Sequence, residues 1–202
     1  MSNVIPRLPS KDGEPAWEAA FLLPLQGRWS DEDFLKFHTT QMAELVNGRL
    51  EILPMPTLKH QRLLKKLLGV LEEAAPTGSL VLFAPLPTRL FPGTIREPDL
   101  LYISPEHLPK PDDDYPSKID LAIEIVSDGT EARKRDYEDK RVDYAKAGVS
   151  EYWIVDPKDQ TVTVLVLAGH CYIDFGRFVS GQIASGKLLD KMTIDVEALM
   201  LA

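Results

Sequence analysis

The spacing of apolar residues changes period several times along the chain, and each change marks an element. Asn47-Gly48 stands between Leu45-Val46 and Leu50-Glu51-Ile52-Leu53. Both turn positions tolerate a positive φ, so a β-hairpin is predicted there, with Glu44 on its first strand or at its edge. Leu64, Leu67, Leu68 and Leu71 then recur at helical spacing, which predicts an amphipathic helix over 57–74, and His60 continues its stripe one turn earlier. Upstream, Ser30 and Asp33 form a capping-box pattern with acids in the first turn, predicting a helix from Asp31 to about Met42.

Strand-like runs follow at 79–84, 87–91 and 96–104, with Pro92-Gly93 as a turn between the last two. In 119–127, Ile119, Leu121, Ile123 and Ile125 alternate with Asp120, Ala122, Glu124 and Val126, the mark of a central strand buried on both faces. The charged segment 130–147 reads as a helix stopped by Gly148. Strands at 152–156 and 161–167, a hairpin around Gly169 and a short helix near 196–201 close the chain. Helices and strands interleave throughout, so the fold class is α/β, a mixed β-sheet flanked by helices with additional β-hairpins. Residues 1–28 show no period and read as an extended lead-in to one domain over 29–202.

Composition narrows this picture. A chain of 202 residues with 44% hydrophobic side chains can bury a substantial core. It has no apolar run of the roughly 18 to 20 residues that a bilayer requires, and no basic, apolar leader, so a cytoplasmic protein without membrane contact is expected. The lone Cys171 has no disulfide or zinc partner at hand and reads as a small core or strand residue. A net charge of −8 opposes indiscriminate nucleic-acid binding, so any such contact must be local. Arg133-Lys134-Arg135, with Lys140 and Arg141, is the best candidate patch, although the charge pattern alone favours an exposed, ion-paired helix.

Two acids are placed against local logic. Asp99 follows Pro98 within an apolar strand pattern, and Glu124 sits mid-strand, where an unpaired charge would be costly to bury. Arg96 or Lys140 could compensate Glu124, or a divalent cation could, shared with Asp99 on an adjacent strand. Glu44 could then hold a metal-bound water. Residue pattern alone leaves both solutions open, and a histidine on an apolar face, such as His60, is more often a satisfied core residue.

The string from Glu97 to Tyr102, the strand Ile119 to Ser127, and Lys140 followed by Tyr144 to Pro157 resemble the Uma2 family of restriction endonucleases, within the PD-(D/E)xK nuclease superfamily. Glu44 to Gly48 and His60-Gln61 also fit, so the resemblance runs from about Trp29 to the C-terminus. It implies a restriction-endonuclease-like fold and a metal-dependent DNA endonuclease using Mg2+ or Mn2+. Asp99, Glu124 and the Ile125 carbonyl would be metal ligands, with Glu44 as the superfamily's helix-side acid. The superfamily lysine stands two places after the second acid, where this chain has Val126. Uma2-like sequences share that departure, and a lysine on the next helix, here Lys140, substitutes. Lys140 lies three and four positions from Tyr137 and Tyr144, on a face expected to pack toward the sheet. Arg133, Lys134 and Arg135 would contact phosphates, and cutting both strands favours a homodimer. A noncatalytic binding or assembly protein retaining the fold is the other reading; the acidic surface favours it, and the retained cluster of Glu44, Asp99, Glu124 and Lys140 argues against it.

Overall fold

A computed structural model describes residues 23–37 and 41–202, so most of the expected lead-in lies outside the described residues. Its described end lies on the predicted hairpin, where Gly27 N–H donates to the Gly48 carbonyl at 2.8 Å. The hairpin pairs β1 (Ala43–Val46) with β2 (Arg49–Ile52) through Asn47 and Gly48 at φ 49° and 71°. A Cβ at Gly48 would stand 3.1 Å from the Gly27 carbonyl, so this turn needs glycine for clearance as well as for φ.

Two further strands, β4 (Thr88–Phe91) and β5 (Thr94–Arg96), complete a four-stranded sheet in the order β2-β1-β5-β4. Its own small core joins Leu45 and Ile95 to Trp29 and to Phe34 of helix α1 (Asp31–Leu35). The Ser30/Asp33 capping box is formed as expected, but α1 is shorter than predicted. It ends at Leu35, where Phe37 N–H already bonds the i−3 carbonyl of Phe34 and the Phe37 ring packs edge-on against Trp29 at 5.2 Å. Gln41 and Met42 are not helical.

The second sheet has six strands in the order β10-β9-β8-β7-β6-β3. These are β3 (Leu80–Phe83), β6 (Leu100–Ile103), β7 (Leu121–Ile125), β8 (Glu151–Asp156), β9 (Thr161–Ala168) and β10 (Cys171–Val179). Only β7 and β8 run parallel. A parallel pair requires a crossover, and here it comprises α3 (Thr130–Lys134), a π-helical turn (Arg135–Asp139) and α4 (Lys140–Ala147). Gly148, at φ 78°, terminates α4 in the left-handed conformation.

Helix α2 (Leu58–Ala74), capped by the Thr57 side chain, covers one face of this sheet. Leu63, Leu67 and Leu71 are fully buried there with Leu121, Ile123, Trp153 and Val155, each leucine contributing about 1.5–3 kcal/mol. A two-stranded ribbon, β11 (Ile183–Ser185) and β12 (Thr193–Asp195), and helix α5 (Val196–Met200) extend the same layer. Tyr144 and Ala145 of α4 cover the opposite face, over Ala122, Tyr152 and Ile154.

Two sequence expectations are corrected. The continuous strand expected over 96–104 is two strands in different sheets, β5 and β6, joined by Glu97-Pro98-Asp99. Proline lacks the N–H that a ladder would use, so the chain changes sheet there. Cys171 does open a strand, β10, but is exposed instead of belonging to the core. Among the described residues, no helix is long and apolar enough to cross a membrane.

Candidate active site

Strand alternation decides where the acids point. Leu121, Ile123 and Ile125 of β7 pack on the α2 side, whereas Ala122 and Val126 pack on the α4 side, and Glu124 shares that second side. Leu100 of β6 pairs with Ile123 of β7, so Asp99, one residue earlier, stands across from Glu124 at the ends of neighbouring strands. Its Oδ2 accepts the Ile125 N–H at 2.7 Å, and its Oδ1 lies 3.0 Å from His60 Nε2.

Lys140 enters from the crossover. Its backbone N–H bonds the Arg135 carbonyl, five residues back, and this wider π-turn sets the phase at which α4 begins. Only 2% exposed, Lys140 places Nζ 2.8 Å from Glu124 Oε1, 3.2 Å from Glu44 Oε1 and 3.8 Å from Asp136 Oδ1. Tyr144, one turn on, donates its hydroxyl to the same Glu124 oxygen at 2.6 Å. Tyr137 instead reaches Asp156, at the end of the neighbouring strand β8, at 3.1 Å.

Glu44 arrives from the other sheet. Its Oε2 accepts from Arg96 Nη1 at 2.7 Å, and its Oε1 takes the Glu97 N–H at 3.0 Å. Arg96 is the buried hub behind this contact and also holds Asp143 at 2.7 Å through Nη2. It does not serve Glu124, leaving Lys140 as the cation of that acid.

The electrostatics follow from this wiring. Burial alone would raise the Glu44 carboxyl, but Lys140, Arg96 and the Glu97 amide hold it down to about 2. Burial pushes Glu124 upward; Lys140 offsets only part of that, and Asp99, Asp136 and Glu44 add repulsion. Burial would lower Lys140, yet Glu124, Glu44 and Asp136 raise it, so the amine stays protonated at neutral pH. Glu97 is raised to about 7, by burial first and then by Glu44.

The sequence profile of the Uma2 family, described as "Putative restriction endonuclease", matches residues 31–197. The chain belongs to the Uma2 family. A crystal structure of "a putative nuclease belonging to DUF820" from Anabaena variabilis superposes with a TM-score of 0.68 at 18% identity, covering 88% of this chain and 98% of that one. That likeness bears on the fold, the mixed sheet with flanking helices expected from the sequence. No curated protein matches the chain.

In this Uma2 chain Asp99, Glu124 and Ile125 line a cavity of about 30 Å³ with Lys140, His60, Glu97, Asp136 and Arg135. That volume suits one water-sized occupant. Glu44 does not line it; both of its oxygens are engaged behind Lys140. Glu97 Oε2 and Asp136 Oδ1 are buried without a hydrogen-bond partner. Four carboxyl groups around one amine form a hard-oxygen, acid-rich lining, a donor chemistry that fits Mg2+ or Mn2+. Among the described residues, no three or more His, Cys, Asp or Glu side chains are arranged to hold a metal ion, so a ligand set here would combine the acids with the Ile125 carbonyl.

The expected phosphate-binding residues of this Uma2 chain are placed in three different surroundings. Arg133 is ion-paired with Asp156 and, at 2.7 Å, with Asp159. Lys134 faces solvent, and Arg135 turns into the cavity wall, its Nε buried without a hydrogen-bond partner. Sequence reasoning gave no role to Glu97 or Asp136 in the cavity. Glu97 was visible as the residue before Pro98-Asp99, whereas Asp136 owes its inward position to the π-turn, which no residue pattern announced. His60 was read as a core histidine and contacts Asp99.

Proposed function

We propose that this chain is a metal-dependent endonuclease that hydrolyses phosphodiester bonds in DNA. The observation that carries this reading is the buried Lys140 amine, held between Glu124 and Glu44 on the wall of the cavity that Asp99 also lines. Asp99, Glu124 and the Ile125 carbonyl would hold Mg2+ or Mn2+. When bound, the cation would polarise a phosphoryl oxygen and make water a better nucleophile.

The chain's own groups do the rest. Lys140 is cationic and cannot accept a proton, so it orients the attacking water or faces the charge that develops on phosphorus, a fixed donor that needs no reorganisation during reaction. Glu44 and Asp136 position that amine. His60 and the Ile125 N–H fix the Asp99 carboxylate, and Tyr144 fixes Glu124. Arg135 is placed to meet a phosphate oxygen at the cavity wall. A two-fold pair of chains would present one such site to each strand.

Supercoiled plasmid incubated with the purified protein is expected to be nicked or linearised with Mg2+ or Mn2+ and left intact with EDTA, while Asp99→Ala should be inactive. Intact plasmid with both metals would favour the noncatalytic reading; cutting that EDTA does not stop would remove the metal from the mechanism.

Metal linkage gives a second check that needs no turnover. A cation at about 100 times its dissociation constant adds about 2.7 kcal/mol to stability. For a chain of this length that is a rise of roughly 5–10 °C in melting temperature. Asp99→Asn should lose most of this rise, and equal rises in both proteins would place the ion elsewhere.

A further inference from the structure

The first nine residues of α2, Leu58 to Lys66, contain Lys59, Arg62, Lys65 and Lys66 and no acid; its acids, Glu72 and Glu73, come at the far end. All four basic side chains are exposed, in a chain whose net charge is −8. Positions 59, 62 and 66 are three and four apart and so form one stripe on the outer surface. Lys66 donates to the Ala198 carbonyl and Lys59 to the Pro157 carbonyl, while Arg62 and Lys65 stand on the outer surface beside them.

The N-terminal end of the stripe meets the catalytic cavity. A groove of about 300 Å³ lies between the start of α2 and the β8–β9 turn, with Lys59 and Lys158 on its walls. It shares Pro54, His60, Ile125 and Ser127 with the catalytic cavity. Lys59 Nζ sits 3.3 Å from the Pro157 carbonyl, which fixes it across the groove from Lys158. Met55, on the groove wall, and Leu58, beside it, are each 69% exposed, apolar surface that nothing in the fold requires.

The other approaches lack this complementarity. The cavity that adjoins the site through Met42 and Glu97 shares Leu35 and Tyr115 with a surface pocket where Asp112, Asp113, Asp114 and Glu32 outnumber Lys36 and Arg89, a net acidic surface unfavourable to phosphate. Arg133 to Arg135 are interleaved with Glu131, Asp136, Glu138 and Asp139, and Arg133 is already paired.

We propose that the DNA strand runs from the catalytic cavity along the outer face of α2. Lys59 and Lys158 hold the phosphate next to the scissile one, Arg62 and Lys65 hold phosphates beyond it, and Met55 meets the apolar face of the intervening nucleotide. The six residue steps from Lys59 to Lys65 span about 9 Å of helix axis. At about 3.4 Å per base step this matches two to three steps of one strand. Such contacts fix position without reading sequence. This track rests on the nuclease reading for its substrate, but binding tests it separately from cleavage.

The experiment is fluorescence anisotropy of a labelled DNA duplex against salt, with Ca2+ replacing Mg2+ so that binding is read without cutting. The proteins are wild type, the triple variant Lys59→Ala/Arg62→Ala/Lys65→Ala, an equal-charge control Lys110→Ala/Lys118→Ala/Lys191→Ala, and Lys134→Ala. The α2 variant is expected to lose more than about tenfold in affinity, and its slope of log affinity against log salt to flatten by about 2.7, at about 0.9 per phosphate contact. The control should keep the wild-type slope. Unchanged affinity in the α2 variant, an equal loss in the control or in Lys134→Ala, or no binding by wild type would overturn the track. Wild type that binds through α2 but never cuts plasmid would leave the track standing and remove the nuclease activity.

Discussion

Lys140→Ala is expected to lower the single-turnover cleavage rate by about 10²- to 10³-fold, the usual cost of removing one preorganised donor from a charge-stabilising site. Among the described residues Lys140 is the one lysine that lines the cavity, and the place two after Glu124 holds Val126, so no second lysine stands ready to take over. Because Lys140 is also the cation paired with buried Glu124, and shares Glu44 with Arg96, its loss must lower stability as well as rate. Two readouts separate these effects. The metal-induced rise in melting temperature should persist in Lys140→Ala, since Asp99 and Glu124 remain, and the rate should be measured well below the variant's own transition. Lys140→Arg keeps the charge and should restore more of the stability than of the rate, because a planar guanidinium cannot occupy the same point between the two carboxylates. A Lys140→Ala protein with wild-type turnover would end the assignment of this lysine to the chemistry.

Arg96→Met is expected to be the most damaging substitution for stability. Arg96 is 1% exposed and bonds Glu44 on one side and Asp143 on the other. Removing one partner of a buried ionic group costs about 3–5 kcal/mol, because the remaining charges stay buried without compensation. The pH dependence distinguishes this cause from lost packing. In the wild type, Glu44 is held at about 2, below its ordinary value, so its contribution is present above the unfolded pKa of about 4.5 and is lost as pH falls toward 2. Without Arg96, Lys140 and the Glu97 amide still oppose burial at Glu44, but its carboxyl rises from about 2, so less of that contribution remains at neutral pH, and the difference from wild type is relieved as acid protonates the variant first. The stability gap between the two proteins, followed by urea denaturation, should therefore narrow as pH falls from 7 toward 3. A gap that does not change with pH would assign the loss to packing alone.

Much of this arrangement was legible because it is written in local patterns. Asn47-Gly48 announced its hairpin, the leucines of α2 their buried face, and Glu124 its anomaly within an apolar strand. What escaped depends on residues far apart in sequence. The pattern over 96–104 reads as one strand because alternation reports which face a side chain takes, not which sheet the strand joins. The charge pattern favoured ion pairing for the helix of Arg133, but its partners, Asp156 and Asp159, lie 23 and 26 residues away and could not be named from it. Asp136 and Lys140 are close in sequence, but their burial depends on the π-turn, which no residue pattern marks. The basic residues of α2 were present in the sequence, but the periodicity of its leucines reports only the buried face.

The change of sheet at Pro98 has a consequence for how the protein fails. Arg96 and Glu44 belong to the small sheet, which has its own core around Trp29, while Asp99, Glu124 and Lys140 belong to the large sheet and its crossover. The Glu44 contacts with Lys140 and the Glu97 amide thus straddle a seam between two cooperative units of unequal size. Local opening of the smaller unit, which buries far less apolar surface, would release the lysine while the larger one stays folded. On the nuclease reading, heat is therefore expected to abolish cleavage by a sub-global opening of the smaller sheet, before the larger one melts.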